Sequence, residues 1–160
     1  MVGTFIAVGI ILACMGGSLW HQHCKNKEIS FKESMDLLGL PVITFKCGNR
    51  KLNFLLDTGS NISHVLPSVV AGMNCEEVKD GHFNVQGITG SANVNKTCTL
   101  ELSYRGKSYP ATMYVSEHLI PVFAEMKKDS GCNVHGLLGS DFFDHYKYVL
   151  DFKSLTAYSK

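Results

Sequence analysis

The sequence predicts an all-β, barrel-like domain with one short helix, preceded by an apolar segment that spans a membrane. Short stretches of alternating apolar and polar residues recur between turn-forming residues, which is typical of antiparallel strands in a closed sheet. The 160 residues suffice for one hydrophobic core once the N-terminal part is set aside. We expect a membrane-spanning or signal-anchor segment at 1–22, a linker at 23–39 and the barrel at 40–160.

The N-terminal segment, residues 2–20, carries no charged residue and is long enough to cross a hydrocarbon core as a helix. It ends at Trp20 and is followed by polar and basic residues, as at a membrane interface. This pattern predicts a single-pass N-terminal anchor. A cleaved signal peptide is an alternative, although the first ten residues lack Lys and Arg and no Ala-x-Ala site follows. A buried core helix is another alternative.

Charge bears on orientation and on partners. Lys25, Lys27 and Lys32 follow the apolar segment, and the positive-inside rule therefore places the domain on the cytoplasmic side, a weak bias from three lysines. The formal net charge of the chain is only +1, so there is no electrostatic reason to expect nucleic acid as a partner.

The six cysteines do not show metal-ligand or C-x-x-C spacing. Four of them fall in or beside apolar stretches, where a small buried thiol is the usual explanation, and one disulfide among them is also possible. These four are Cys47, Cys75, Cys98 and Cys132. A cluster at His21, His23 and Cys24 has the chemistry of a metal site, but an incidental polar stretch explains it better, so no metal is expected.

The first strands lead into the most informative stretch of the chain, KLNFLLDTGSNIS at 51–63. Residues 42–46 predict one strand, a turn containing Gly-Asn follows, and residues 51–56 predict a second. Asp57 comes where this second, apolar strand ends. Burial makes ionisation of a carboxylate costly, so we expect Asp57 to titrate abnormally or to share a proton with another acid. An ordinary Asp-Thr-Gly turn is the plainer interpretation.

The middle of the chain predicts a short helix starting at Pro67, a glycine-rich hairpin at 82–94 and a further hairpin formed by 98–104 and 109–115. His64 is a conceivable catalytic base, but no nucleophile motif lies near it, and a structural role is favoured. In the 82–94 hairpin two glycines permit a mobile tip, although an ordinary β-turn is an equal alternative. The tip residues are Gly87, Ile88, Thr89 and Gly90.

The last part of the chain contains a second informative stretch, VHGLLGSDFFDHYKYVLDF at 134–152. Residues 117–133 before it predict a loop or short helix. Glycine at 139 would let the backbone after Leu137 and Leu138 pass close to the Asp57 loop. Ser140 suits a helix N-cap and Asp141 its first turn, ahead of an apolar face. A last hairpin is predicted from 148–152 and 155–158.

The two informative stretches together resemble the retropepsin-like aspartic proteases. That family has a hydrophobic-Asp-Thr-Gly-Ser/Ala loop and a later hydrophobic-hydrophobic-Gly strand, matched here by residues 55–60 and 137–139. The resemblance covers roughly residue 40 to the C-terminus and implies a single-lobe, retropepsin-like closed barrel. One loop in one lobe further implies a homodimer, because the second Asp must come from another subunit.

The resemblance implies peptide-bond hydrolysis by a water that two copies of Asp57 activate, with no metal or cofactor. It assigns Thr58 to bracing the paired loops and Gly59 to donating its backbone N–H to the carboxylate. Ser60 would bond the outer carboxylate oxygen. Leu138 and Gly139 would form a scaffold behind the loop, and the hairpin tip at 87–90 is the candidate flap over a protein or peptide substrate.

The chain departs from the viral pattern at three places, all of which bear on the dimer. The spacing between Asp57 and Leu137 is larger than in viral proteases of this type, and Ser140 replaces a common Arg. Its terminal hairpin also differs from a simple interdigitating strand. Two other functions therefore remain open: an inactive protease-like module that binds peptides or dimerises a partner, and a membrane-anchored structural β domain.

Overall fold

A closed β-sheet dominates the computed structural model, which describes residues 28–77, 83–87, 90–94 and 96–160, with side chains described in 28–77 and 96–160. Seven strands form one sheet in the order β1-β2-β9-β3-β8-β7-β4, and a further pairing of β1 with β7 closes it into a barrel. Its strands are β1 Val42–Cys47, β2 Arg50–Leu56, β3 His64–Val65, β4 Glu76–Glu77, β7 Lys96–Tyr104, β8 Lys107–Val115 and β9 Gly136–Leu138.

Local turn chemistry fixes the hairpins of the barrel. β1 and β2 pair antiparallel from Val42 opposite Leu55 to Cys47 opposite Arg50, and β7 and β8 pair antiparallel from Thr97 opposite Tyr114 to Tyr104 opposite Lys107. Both turn residues between β7 and β8 have positive φ, 50° at Arg105 and 79° at Gly106, as a two-residue hairpin turn of matching twist requires. Two further hairpins are β5 Phe83–Gly87 with β6 Gly90–Val94, and β10 Tyr148–Asp151 with β11 Thr156–Ser159.

The barrel interior is a single large cluster of apolar side chains. Phe45 is its centre, since its ring lies 5.4 to 6.5 Å from five other aromatic rings. The pairs with Phe54 and Phe142 have edge-to-face geometry, which favours their mutual attraction beyond simple burial. This packing holds β1 and β2 rigidly, and the strand that leads to Asp57 is therefore well anchored.

The described residues contain four α-helices, more than the one short helix of the predicted fold. They are α1 Phe31–Leu38, α2 Pro67–Val70, α3 Ile120–Ser130 and α4 Ser140–Tyr146. The region that we expected to be a loop or short helix contains α3, an 11-residue helix that buries Phe123 in a second apolar cluster. Helix α4 follows the second sequence motif as expected, but its N-cap is Gly139, and Ser140 is its first helical residue.

Helix α1 lies in the stretch 23–39 that the sequence analysis assigned to a linker. A capping box starts it: Ser30 accepts from the backbone N–H of Glu33, and the Glu33 carboxylate accepts from the N–H of Ser30. Phe31 is only 2% exposed and meets Phe152 edge to face at 5.3 Å. This helix is therefore packed onto the barrel.

Two predicted features fall on residues that the structure does not describe. Among the described residues no helix is long and apolar enough to cross a membrane, and the predicted span at 2–20 lies outside them. Of the candidate flap, Gly87 and Gly90 pair with each other at the end of the β5–β6 hairpin. Ile88 and Thr89, between them, lie outside the described residues.

Candidate active site

Asp57 lies where β2 leaves the barrel. β2 pairs parallel with β9, with Leu56 opposite Leu138, and the backbone N–H of Asp57 continues this ladder by donating to Leu138 O at 3.0 Å. Asp57 itself is half-buried, while Thr58 and Gly59 after it are exposed. The strand therefore delivers a carboxylate to the protein surface on a backbone that the neighbouring strand holds in place.

The turn after Asp57 is stabilised by a hydrogen bond to the Asp57 carboxylate. The backbone N–H of Gly59 donates to Asp57 Oδ1 at 2.9 Å, which is the contact that the family resemblance implies for Gly59. The Ser60 hydroxyl does not make the bond expected of it, because it donates instead to Ile62 O at 2.7 Å. One carboxylate oxygen of Asp57 is thereby oriented, and Ser60 stabilises the turn rather than the acid.

Gly139 brings a second segment directly against this loop. A Cβ at this position would lie 2.6 Å from Ile62 O and 2.9 Å from Ser60 O, so only glycine fits without a shift of backbone. The next residue uses that proximity: Ser140 donates to Ser60 O through its backbone N–H at 2.8 Å and its hydroxyl at 3.0 Å. Leu138, fully buried, and Gly139 thus lie behind the loop, where the sequence analysis placed them.

The loop has a second brace that the sequence analysis did not find. The Asp141 carboxylate accepts from the Ser63 backbone N–H at 2.9 Å, from the Ser63 hydroxyl at 2.7 Å and from the Phe142 N–H at 2.8 Å. Ser63 Oγ in turn accepts from the Gly139 N–H at 3.0 Å. The sequence predicts Asp141 in the first turn of a helix, but no local pattern reveals that its partner is Ser63, 78 positions away.

His64 has a structural role, as the sequence analysis favoured. Its side chain is 2% exposed, and its Nδ1 lies 2.6 Å from the hydroxyl of Ser116, which is itself fully buried. Burial, and secondarily the charge of nearby His118, lowers the pKa of His64 from 6.5 to about 4, and Asp141 and Asp57 partly oppose this shift. A neutral imidazole locked to a buried serine cannot exchange protons readily with a substrate.

A buried polar network supports the other side of β2. The Asn53 backbone N–H donates to His135 Nδ1 at 2.9 Å, and the Thr44 hydroxyl donates to Asn53 Oδ1 at 2.6 Å. Burial, and secondarily the charge of Arg50, lowers the pKa of His135, so its imidazole stays neutral with Nδ1 as acceptor. The network also reaches the start of the described chain, where the Ile29 N–H donates to Thr44 Oγ1 at 2.7 Å.

The described cysteines are free thiols, so the possible disulfide is not formed. Within the described part of the chain, no three His, Cys, Asp or Glu side chains are grouped as a metal would require. The chemistry at the site is that of one oriented carboxylate at the end of a strand. Two such groups facing each other could hold a shared proton and a water.

Comparison with solved structures identifies the fold of this barrel. The retroviral protease-like domain of Ddi1 from Leishmania major matches with a TM-score of 0.53 and 11% identity, covering 76% of this chain and 88% of that one. The chain has the retropepsin-like fold. The EIAV protease complexed with the inhibitor HBY-793 also matches, at a TM-score of 0.48 and 19% identity, over 73% of this chain and 97% of its own.

The retropepsin-like fold explains why the two sequence motifs meet. In this chain the Asp57 loop and the Leu137-Leu138-Gly139 strand lie side by side through the β2–β9 ladder. No protein-family model matches the sequence, and no curated protein matches it at a significant level. At 11% identity, the similarity to the Ddi1 domain extends to the fold alone.

Proposed function

We propose that the protein is an aspartic endopeptidase. The observation that carries this proposal is the placement of Asp57: a half-buried carboxylate at the end of β2, oriented by the Gly59 N–H and held by β9 in a retropepsin-like barrel. The substrate class is a protein or peptide. The reaction adds water across a peptide bond and needs no metal or cofactor.

The proposed site is shared between two copies of the chain. Each subunit contributes one Asp57, and the two carboxylates face each other across a two-fold axis. Because two like charges that close cannot both ionise at modest cost, the pair holds one proton. The ionised member removes a proton from water, and the protonated member donates to the carbonyl oxygen of the scissile bond. Thr58, exposed beside Asp57, is proposed to brace the two loops.

Two further parts of the proposal concern the surroundings of the site. The β5–β6 hairpin, with its tip at 87–90, is the proposed flap over the bound peptide, because it forms a separate two-stranded unit outside the barrel sheet. The apolar residues 2–20 are proposed to anchor the enzyme in a membrane, with the barrel on the cytoplasmic side. The anchor would confine cleavage to substrates near that membrane.

The first experiment compares cleavage of a mixed peptide library by the full-length protein and by Asp57→Asn at mildly acidic pH. We expect the substitution to abolish cleavage, and a statine-type transition-state mimic to inhibit the unsubstituted enzyme. Asp144→Asn is the matched control, since Asp144 is an exposed residue of α4 whose carboxylate pairs with Lys147. Full-rate cleavage by Asp57→Asn would overturn the proposal, and stable peptide binding without cleavage by the unsubstituted protein would favour the inactive binding module.

A second experiment tests the sharing of the site. Unsubstituted and Asp57→Asn subunits are mixed in equal amounts, dissociated and allowed to reassociate. If both aspartates are needed, only dimers of two unsubstituted subunits cleave, and activity per total protein falls to about a quarter. A fall to half would mean that each chain acts alone.

A further inference from the structure

A group of thiols lies at the end of the barrel where β4 meets β7. Cys98, in β7, is 3% exposed, and its Sγ lies 3.6 Å from Asn74 O. Cys75 packs against the apolar cluster that contains Cys98. Cys75 is the more accessible of the two, being half-buried. A buried thiol with a more accessible thiol nearby forms a pair that can be oxidised.

Strand register shows that the backbone suits a bond between them. Glu76 lies opposite Thr97 and Glu77 opposite Lys96 in the antiparallel β4–β7 pair, so the preceding residue, Cys75, lies opposite Cys98. Facing residues of antiparallel strands have Cα atoms about 4.5 to 5.5 Å apart. Disulfides span Cα separations of about 4.4 to 6.8 Å, so this pair can be bridged without movement of the strands.

Cys47 is the competing partner, and the register disfavours it. Cys47 lies opposite Leu102, four residues beyond Cys98 along β7. At about 3.3 Å per residue this offset is roughly 13 Å, beyond the reach of a disulfide. The remaining described cysteine, Cys132, belongs to the other apolar cluster.

We propose that Cys75 and Cys98 are a redox pair that a hydroperoxide converts into a disulfide. The Cys75 sulfur attacks the peroxide oxygen, the O–O bond breaks, and Cys75 becomes a sulfenic acid with release of one water, or of an alcohol from an organic peroxide. The Cys98 sulfur then attacks the sulfenic sulfur, forms the S–S bond, and its proton leaves with the hydroxyl as water. Two thiols lose two electrons to the peroxide.

The order of the two steps follows from exposure. Burial raises the pKa of the Cys98 thiol to about 11, and it is shielded from solvent, so it is the poorer group for the first attack. Once Cys75 is oxidised, Cys98 supplies the second thiol from the facing position in the β4–β7 register.

A disulfide between Cys75 and Cys98 would link the chain before the β5–β6 hairpin to the chain after it. Residues 78–95 connect β4 to β7 along the chain and include the β5–β6 hairpin, and β4 is held by two paired residues, both exposed. A disulfide between positions 75 and 98 joins the two ends of that segment. It lowers the conformational entropy of the unfolded chain by closing a loop of more than twenty residues. The oxidised protein therefore has the higher melting temperature.

The test uses full-length protein in detergent, reduced, desalted and treated with hydrogen peroxide. Remaining thiols are alkylated, the protein is digested without reduction, and linked peptides are identified by mass spectrometry. We expect a peptide pair joining Cys75 to Cys98, together with a melting temperature raised by at least about 5 °C and restored by dithiothreitol. The expected result requires no proteolytic activity, so it stands or falls separately from the proposed function.

Single-serine variants give the controls. Cys132→Ser should retain the link and the thermal shift, whereas Cys75→Ser and Cys98→Ser should lose both. Cys75→Ser alters a half-buried position and is the variant that keeps the comparison valid if Cys98→Ser folds poorly. A link to Cys47, oxidation of Cys75 to a sulfinic acid without any link, or a linked protein with an unchanged melting temperature would each overturn the proposal.

Discussion

At the scale of single residues, the loop that carries Asp57 is braced by a second acid. Asp141 accepts three hydrogen bonds, two of them from Ser63, and the Ser63 hydroxyl oxygen accepts from the backbone N–H of Gly139. Bonds to a charged acceptor are worth more than neutral ones, so this side chain holds the two motifs together more strongly than its surface position suggests.

We therefore expect Asp141→Ala to lower the free energy of unfolding by about 2 kcal/mol and to reduce any peptidase activity, because Ser63 and the loop lose their common acceptor. Asp141→Asn keeps an acceptor oxygen and should cost less. Urea denaturation measures the effect, and Asp144→Ala, on the exposed face of the same helix, should show no measurable change. Equal stability of the Asp141→Ala and Asp144→Ala proteins would contradict the bracing role.

The buried His64 predicts how stability depends on pH. Its pKa is about 4 in the folded protein and near 6.5 in the unfolded chain, so between these values the unfolded state binds a proton that the folded state does not. Stability therefore falls as pH drops from about 6.5 to about 4, by up to about 3 kcal/mol from this group. His118 and His135, whose pKa values burial also lowers, act in the same direction.

Denaturation at pH 7.5 and pH 4.5 tests this prediction. The loss of stability between the two pH values should be smaller in His64→Gln than in the unsubstituted protein, whatever the absolute stability of the variant. His145→Gln serves as the control, because His145 is exposed. An unchanged pH dependence in His64→Gln would mean that His64 does not resist protonation in the folded state.

The residue-scale features that the sequence revealed are those with local signatures. Asp57, Thr58 and Gly59 form a recognisable turn after an alternating strand, and Gly139 follows an apolar pair. The bonds of Asp141 to Ser63 and of His64 to Ser116 join positions 78 and 52 apart, and nothing in the neighbouring sequence specifies such partners.

At the scale of elements, the crossing of β9 behind β2 decides the geometry of the site. Gly139 has φ of −92°, which any residue adopts. Glycine is required at this position because two backbones approach closely there, and not because of the backbone conformation of Gly139 itself. Gly39 is the opposite case, with φ of 66° and open space around its Cβ position.

We expect Gly139→Ala to cost about 3 kcal/mol of unfolding free energy, since the added methyl must displace the backbone at Ser60 and Ile62. Gly39→Ala should cost only about 1 kcal/mol, from its left-handed backbone. Thermal and urea denaturation of the two variants give the comparison. A smaller effect at Gly139 than at Gly39 would show that the loop yields readily to β9.

The hairpins were predictable element by element, and the helices less so. Alternation and turn residues gave β1–β2, β7–β8 and β10–β11 close to their observed bounds, because these signals are local. Signals for α1 were also present: Ser30 and Glu33 form a capping box, and Gly39 terminates the helix with positive φ. The prediction of a linker rested on the mixed polar composition of the segment and not on these signals.

At the scale of the whole molecule, helix α1 extends the folded unit toward the N-terminus. Phe31 is buried against the barrel and Ile29 is bonded through Thr44 to β1, so residues from about 29 onward are packed rather than tethered. A membrane anchor at 2–20 would then leave only a short connection before the barrel begins.

Phe31→Ala should lower the free energy of unfolding by about 3 kcal/mol, because it removes a buried ring from the core. Leu37→Ala, on the same helix but 54% exposed, should change it by less than about 0.5 kcal/mol. Global unfolding followed by far-ultraviolet circular dichroism distinguishes the two. Similar small effects would mean that α1 is dispensable for the barrel.

The pairing of β2 with β9 also has a consequence for the order of folding. The N–H of Asp57 is held by the carbonyl of Leu138. Because contacts between such distant parts of a chain carry a loop-closure cost that local hairpins do not, we expect this contact to form after the hairpins. The local hairpins can assemble first without placing the acid. A partly folded protein, or a fragment that stops before Gly136, would thus contain the local hairpins without β9 to position the Asp57 carboxylate. We expect any peptidase activity to appear only after β9 has paired with β2.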